Sequence, residues 1–139
     1  MEGIEDKQSI RTKYLIDLKD YEWNGSLDHG TFGNVFKIVN KITKEEYAAK
    51  FIRKIEGEYS KLMVNREIGI MIRLQHPTLV RFVGYSLKDF KDQDCVVIIM
   101  ENAKNGSLAS VLKKNQKMKS DALFNNTTRQ KILIGISYA

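Results

Sequence analysis

The chain has 139 residues, 42% of them apolar and 29% charged, a size and balance that permit one packed core and exclude wholesale disorder. Its 23 Lys and Arg against 17 Asp and Glu give a net charge of +6. The basic residues are dispersed, without the stripe and interleaved aromatics of a nucleic-acid binder. The one dense cluster, Lys113, Lys114, Lys117 and Lys119, reads as a solvated surface. A single cysteine, Cys95, excludes an internal disulfide and a cysteine-built metal site, and it reads as a small buried hydrophobe rather than a reactive thiol. No apolar run reaches the ~20 residues of a membrane span, and the opening MEGIEDKQSI lacks the features of a secretory signal. A cytoplasmic protein with neither nucleic acid nor membrane as partner is expected.

Residues 1–13 are polar and read as a flexible tail. Short β-branched and aromatic runs then predict strands over Tyr21–Asp28, Asn34–Asn40 and Glu46–Ile52, with a turn over Asn40–Lys44 joining the last two. In the second strand Val35, Lys37 and Val39 alternate with Phe36 and Ile38, the pattern of a half-buried antiparallel strand. The period then lengthens. Val64, Ile68, Met71, Ile72 and Gln75 predict an amphipathic helix over 60–75 that stops before His76-Pro77. Two strands are expected over Leu79–Ser86 and Val96–Met100, joined by the polar loop 88–94. The second of them is continuously apolar and should be buried on both faces. Leu108, Val111 and Leu112 mark a short helix. Asn125-Asn126-Thr127-Thr128 can cap a last one carrying Ile132, Leu133 and Ile136. The order βββαββ followed by helices defines an α+β domain.

Three features carry chemistry. Gly30 and Gly33 lie in a hairpin tip, where the lack of a Cβ allows backbone N–H groups to approach phosphate oxygens. Two glycines in a hairpin equally suit a turn that needs positive φ. Lys50 sits among apolar Ala48, Ala49 and Phe51, and Glu67 lies on the apolar stripe of the helix. Each can reach solvent along its own stem. A charge on a buried face demands an opposite one, and the economical arrangement pairs them.

The ordered set Gly30-Thr31-Phe32-Gly33-Asn34-Val35, Ala48-Ala49-Lys50, Arg66-Glu67-Ile68, His76-Pro77 and Met100-Glu101-Asn102 resembles the small lobe of a protein kinase. Leu74-Gln75-His76-Pro77-Thr78-Leu79-Val80 and Asn105-Gly106-Ser107-Leu108 are most similar to the tyrosine-kinase-like group. The resemblance runs from about residue 14 to the C-terminus. It implies a five-stranded antiparallel sheet with one αC-type helix, then the first helices of a truncated large lobe. The small lobe and hinge would span 14–104 and the large-lobe segment 105–139.

It also implies roles. Gly30, Thr31, Phe32 and Gly33 would lie over the phosphates of ATP, Lys50 would hold the α- and β-phosphates, and Glu67 would fix Lys50. Leu27, Val35 and Ala48 would sandwich the adenine, with Met100 behind it. Backbone groups of Glu101 and Ala103 would bond its edge, and Ser107 would reach the ribose. Met71 and Phe82 would form the upper half of an apolar spine. The family activity is transfer of the ATP γ-phosphate to a protein Ser/Thr or Tyr hydroxyl.

Two departures qualify this. Asp28 stands at the usual first glycine of the loop, where a carboxylate should weaken ATP binding. The 139 residues contain neither His-Arg-Asp nor Asp-Phe-Gly, so the aspartates that accept the substrate proton and hold Mg²⁺ are not among them. Of the catalytic set only Lys50 and Glu67 are present. No phosphoryl transfer is expected from this chain alone. The competing readings are a kinase-like docking or scaffold module and a truncated product without activity. Ile132, Leu133 and Ile136 are expected to be exposed and to offer a docking partner an apolar patch.

Overall fold

The computed structural model describes residues 11–30, 33–52, 57–117 and 126–137. They fall into two compact units, one of residues up to Gln75 with Arg81–Asn102, the other of His76–Val80 with residues from Ala103 onward.

The first unit is a five-stranded antiparallel sheet in the order β1-β2-β3-β5-β4 with one long helix. The strands are β1 (Tyr21–Gly30), β2 (Gly33–Asn40), β3 (Glu46–Ile52), β4 (Phe82–Lys88) and β5 (Asp94–Glu101), and the helix is α1 (Gly57–Arg73). The β2–β3 turn forms because Asn40 Oδ1 accepts from the Ile42 and Thr43 N–H groups at 2.9 and 3.0 Å, and Lys44 takes a positive φ of 61°.

β4 begins at Phe82, three residues later than the sequence suggests. His76-Pro77 opens a turn closed by Leu79 N–H to the His76 carbonyl at 3.0 Å, and Thr78 braces it through His76 Nδ1 at 2.7 Å. Gln75, placed in the helical stripe by its spacing, lies past the last helical residue and is exposed. The residue before a proline disfavours helical backbone, so the helix ends short of His76.

Register assigns the two faces of the sheet. Cross-strand partners share a face and neighbours alternate. The pairs Val35↔Lys50↔Ile98 and Ala48↔Met100 therefore place these five side chains on one face, while Trp23↔Ile38 and Phe36↔Ala49↔Ile99 lie on the other. The first face packs α1: Ile98 and Phe82 meet Ile68, with Val64, Met71 and Ile72 alongside. The opposite face holds Leu18, Tyr21, Ile38, Ala49, Phe51, Val97 and Ile99. β5 feeds both layers, as its unbroken apolar run requires.

Residues 11–13, assigned to a flexible tail from their polarity, instead begin an ordered segment. They form a helical turn from which Arg11 donates to the Asn65 carbonyl at 3.2 Å. The chain then runs parallel to β4: Ile16 N–H reaches the Tyr85 carbonyl at 2.8 Å, and Tyr85 N–H reaches the Tyr14 carbonyl at 2.9 Å. The strap can approach because residue 84 is glycine. A Cβ there would overlap Ile16 Cδ1 and sit 2.6 Å from the Tyr14 carbonyl oxygen. Gly84→Ala should therefore destabilise the chain by about 1–3 kcal/mol in urea unfolding, or release the strap. Unchanged stability with Tyr85 N–H still protected from exchange would refute this packing.

Tyr47, in β3, donates its hydroxyl proton to Glu45 Oε2 at 2.6 Å. That bond to the Glu45 carboxylate, reinforced by burial, pushes the Tyr47 pKa from 10.0 up to about 12. The folded chain holds the proton more tightly than the unfolded one. The associated stability is thus complete below pH 10 and is lost as pH rises from 10 toward about 12. Tyr47→Phe should flatten this limb of the stability–pH curve, and parallel curves for the two proteins would exclude the linkage.

The second unit contains α2 (Leu108–Lys117) and α3 (Asn126–Ser137). Ser107 caps α2: its Oγ accepts from Ser110 N–H at 3.2 Å, while Ser110 Oγ donates to the Ser107 carbonyl at 2.7 Å. On α3, Leu133 and Ile136 are 67% and 64% exposed, and Ile134 is exposed with them. Ile132, expected in the exposed patch, is instead half-buried, as are Thr128 four residues before it and Gly135 three residues after it.

Candidate nucleotide site

β3 and α1 build the centre of the site. Lys50 emerges from β3 on the helix-packed face, opposite Val35 and Ile98, and Glu67 comes from α1 one residue before buried Ile68. Lys50 Nζ lies 3.1 Å from Glu67 Oε1, with side chains 23% and 39% exposed. Each charge thus has its partner, yet the pair stays open enough to admit a further anion. The ammonium has three donors, of which Glu67 takes one. Exposure also limits its structural worth to about 0–1 kcal/mol. This arrangement serves to position the ammonium more than to hold the fold.

The β1–β2 hairpin ends at the Gly30↔Gly33 pair, which brings the two glycines together at the tip. Thr31 and Phe32 lie outside the described residues, as does the side chain of Asp28. Val35 and Ala48 share the face of Lys50, and Met100 lies directly across from Ala48. Small Ala48 and half-buried Val35 and Met100 thereby form an apolar wall beside the ammonium. Leu27, in β1, is exposed. Met71 and Phe82 belong to the same cluster as Ile98, and Phe82 pairs across from Met100 on the same face.

The strand end is held by Glu101, whose N–H donates to the Arg81 carbonyl at 3.0 Å and whose Oε1 accepts the Arg81 N–H at 2.8 Å. With its N–H engaged, Glu101 retains its carbonyl as the backbone group for a ligand. Ala103 and Ser107 belong to the second unit. Sequence reasoning missed both the cap formed by Ser107 and the Arg81–Glu101 clasp. The Ser107-Leu108-Ala109-Ser110 spacing at the start of a helix was the available signal for the first.

Among the described residues, no group of three or more His, Cys, Asp or Glu is gathered to hold a metal ion. A lysine–carboxylate pair beside an apolar wall is the arrangement that the phosphates and base of a nucleotide would need.

Residues 21–139 match the family described as protein kinase domain, and the chain belongs to that family. It is 34% identical over 102 residues to the cytokinesis protein sepH of Aspergillus niger, covering 73% of this chain and 7% of that protein. Over 110 residues it is 38% identical to calcium-dependent protein kinase 25 of Arabidopsis thaliana, covering 76% and 20% respectively. Over 129 residues it is 29% identical to the protein named probable serine/threonine-protein kinase samkB of Dictyostelium discoideum, covering 89% and 21%. The chain thus spans a quarter or less of each of these relatives. The family, the five-stranded sheet and the accompanying helices agree with a kinase small lobe and part of a large lobe. No helix among the described residues is long and apolar enough to cross a membrane.

Proposed function

We propose that these residues form the ATP-binding half of a cytoplasmic protein kinase of the tyrosine-kinase-like group, acting on protein Ser/Thr or Tyr hydroxyls. The Lys50–Glu67 pair carries this reading. Glu67 orients Lys50 toward the α- and β-phosphates of ATP, and the ammonium offsets their charge. The glycine backbone at the Gly30–Gly33 tip, with Thr31 and Phe32 between, covers the phosphates. Leu27, Val35, Ala48 and Met100 enclose the base, and the Glu101 carbonyl bonds its edge. ATP would supply the transferable phosphoryl group. His-Arg-Asp and Asp-Phe-Gly do not occur in the 139 residues, so in this reading the chain binds nucleotide without transferring phosphate by itself.

A calorimetric titration of the chain with ATP should give saturable binding that Lys50→Met weakens about tenfold or more. No binding by a chain that still melts cooperatively would overturn the nucleotide reading. That result would favour the second one, a non-catalytic docking module, for which the exposure of Leu133 and Ile136 on α3 is the supporting observation.

A further inference from the structure

The sheet face opposite α1 carries a row of aromatic rings that the nucleotide reading does not use. Trp23 of β1 meets Phe36 of β2 edge-on, with centroids 5.1 Å apart and planes at 71°. Phe36 meets Phe51 of β3 at 5.3 Å and 81°, and Phe51 stacks on Phe90 of the β4–β5 loop at 6.0 Å and 28°. These rings line a cleft of about 330 Å³, within the size range of small-ligand sites. Phe51 forms its buried floor, while Trp23 and Phe90, 63% and 40% exposed, stand at its edges.

The cleft does not share the basic excess of the chain. Against a net +6 overall, the lining contributes the carboxylates of Asp89 and Asp94 and a single ammonium, Lys91. Asp94 also holds Lys88 at 2.9 Å. Asp89 is fixed in place because its Oδ1 accepts from the Lys91 and Gln93 N–H groups at 2.8 and 3.0 Å, and both bonds use the same oxygen.

Perpendicular rings with carboxylates at the rim suit a cation that sheds its water easily. Aromatic faces attract positive charge, and a methylated ammonium loses little hydration when it enters an apolar box. We propose that this cleft binds the methylated ammonium of a lysine side chain presented by a peptide. The Asp89 carboxylate at the rim selects lysine over a choline headgroup, whose phosphate it would repel, whereas the lysine stem is uncharged alkyl chain.

Trp23 is the only tryptophan and therefore reports the site by its fluorescence. Titration of the full chain with a short trimethyllysine peptide should change that emission saturably. The peptide bearing the uncharged tert-butyl isostere should bind about three- to thirtyfold more weakly, and phosphocholine should give no saturable change. Phe90→Leu keeps an apolar side chain and removes the ring, so it should weaken binding about as much as loss of the charge. Asp89→Asn keeps the Oδ1 acceptor that braces the loop and should weaken binding about two- to fivefold.

Equal affinity for the isostere would make this an apolar pocket and overturn the proposal, as would equal binding of phosphocholine or the absence of any saturable change. Unaltered affinity in Asp89→Asn together with Phe90→Leu would overturn it independently.

Discussion

Ile98→Ala should cost the chain about 2–5 kcal/mol in stability. Ile98 is wholly buried in the central region of the sheet, and it is the side chain through which β5 meets Ile68 of α1 and Phe82 of β4. Removing it deletes apolar area and leaves a cavity at the centre of the cluster formed with Ile68 and Phe82. A domain of this size holds about 5–15 kcal/mol in total, so the denaturant midpoint should fall by at least about a seventh with the slope unchanged. The same cavity lies beside Lys50, because Ile98 is its cross-strand partner on the same face. Nucleotide affinity should therefore fall in Ile98→Ala by more than the unfolded fraction explains. A loss below ~1 kcal/mol would mean that α1 closes onto the sheet without Ile98.

Glu67→Gln should separate position from charge at the nucleotide site. The pair is half-exposed, so losing the carboxylate should change stability by less than ~1 kcal/mol. Its effect on binding should be far larger. Without Glu67 the Lys50 ammonium loses the anchor that holds it at 3.1 Å, and the phosphates must order it at the moment of binding. ATP affinity should drop about tenfold, close to the loss in Lys50→Met, and the double variant should be scarcely weaker than either single one. Calorimetry on the three variants gives the answer directly. Additive losses, or indifference to Glu67→Gln, would show that Lys50 meets the phosphates unaided.

Lys50 and Glu67 were legible in the sequence because each is a charge on a face whose other members are apolar, an inconsistency that only a partner resolves. β3 was legible to the residue, since its β-branched and aromatic run is bounded by a clear turn. The start of β4 was not. Leu79 and Val80 have strand-like side chains, but the bonding of His76 with Thr78 and Leu79 captures that backbone first. The aromatic cleft was hidden for a different reason. Its walls come from β1, β2, β3, the start of β5 and the loop that precedes it, and Phe90 lies in a segment that reads as polar. Only the Asp89 turn, which folds the loop back on itself, brings that ring over Phe51. Arg11 gave no signal either, because an isolated arginine in a polar stretch says nothing about the helical carbonyl it will find.

The strap over β4 has a consequence for how the chain behaves in company. β4 is the last strand of the sheet, and an uncovered sheet edge is a template for strands of other molecules. Tyr14 and Ile16 engage the N–H and carbonyl of Tyr85, at the middle of that edge, and Ile16 sits where Gly84 leaves room. The strap thus acts as a terminator of sheet growth at this edge, where residues 14–16 occupy the place a further strand would take. A protein trimmed to begin at Asp17 would retain the Lys50–Glu67 pair and the aromatic cleft but present a bare edge, and it should assemble edge to edge as its concentration rises.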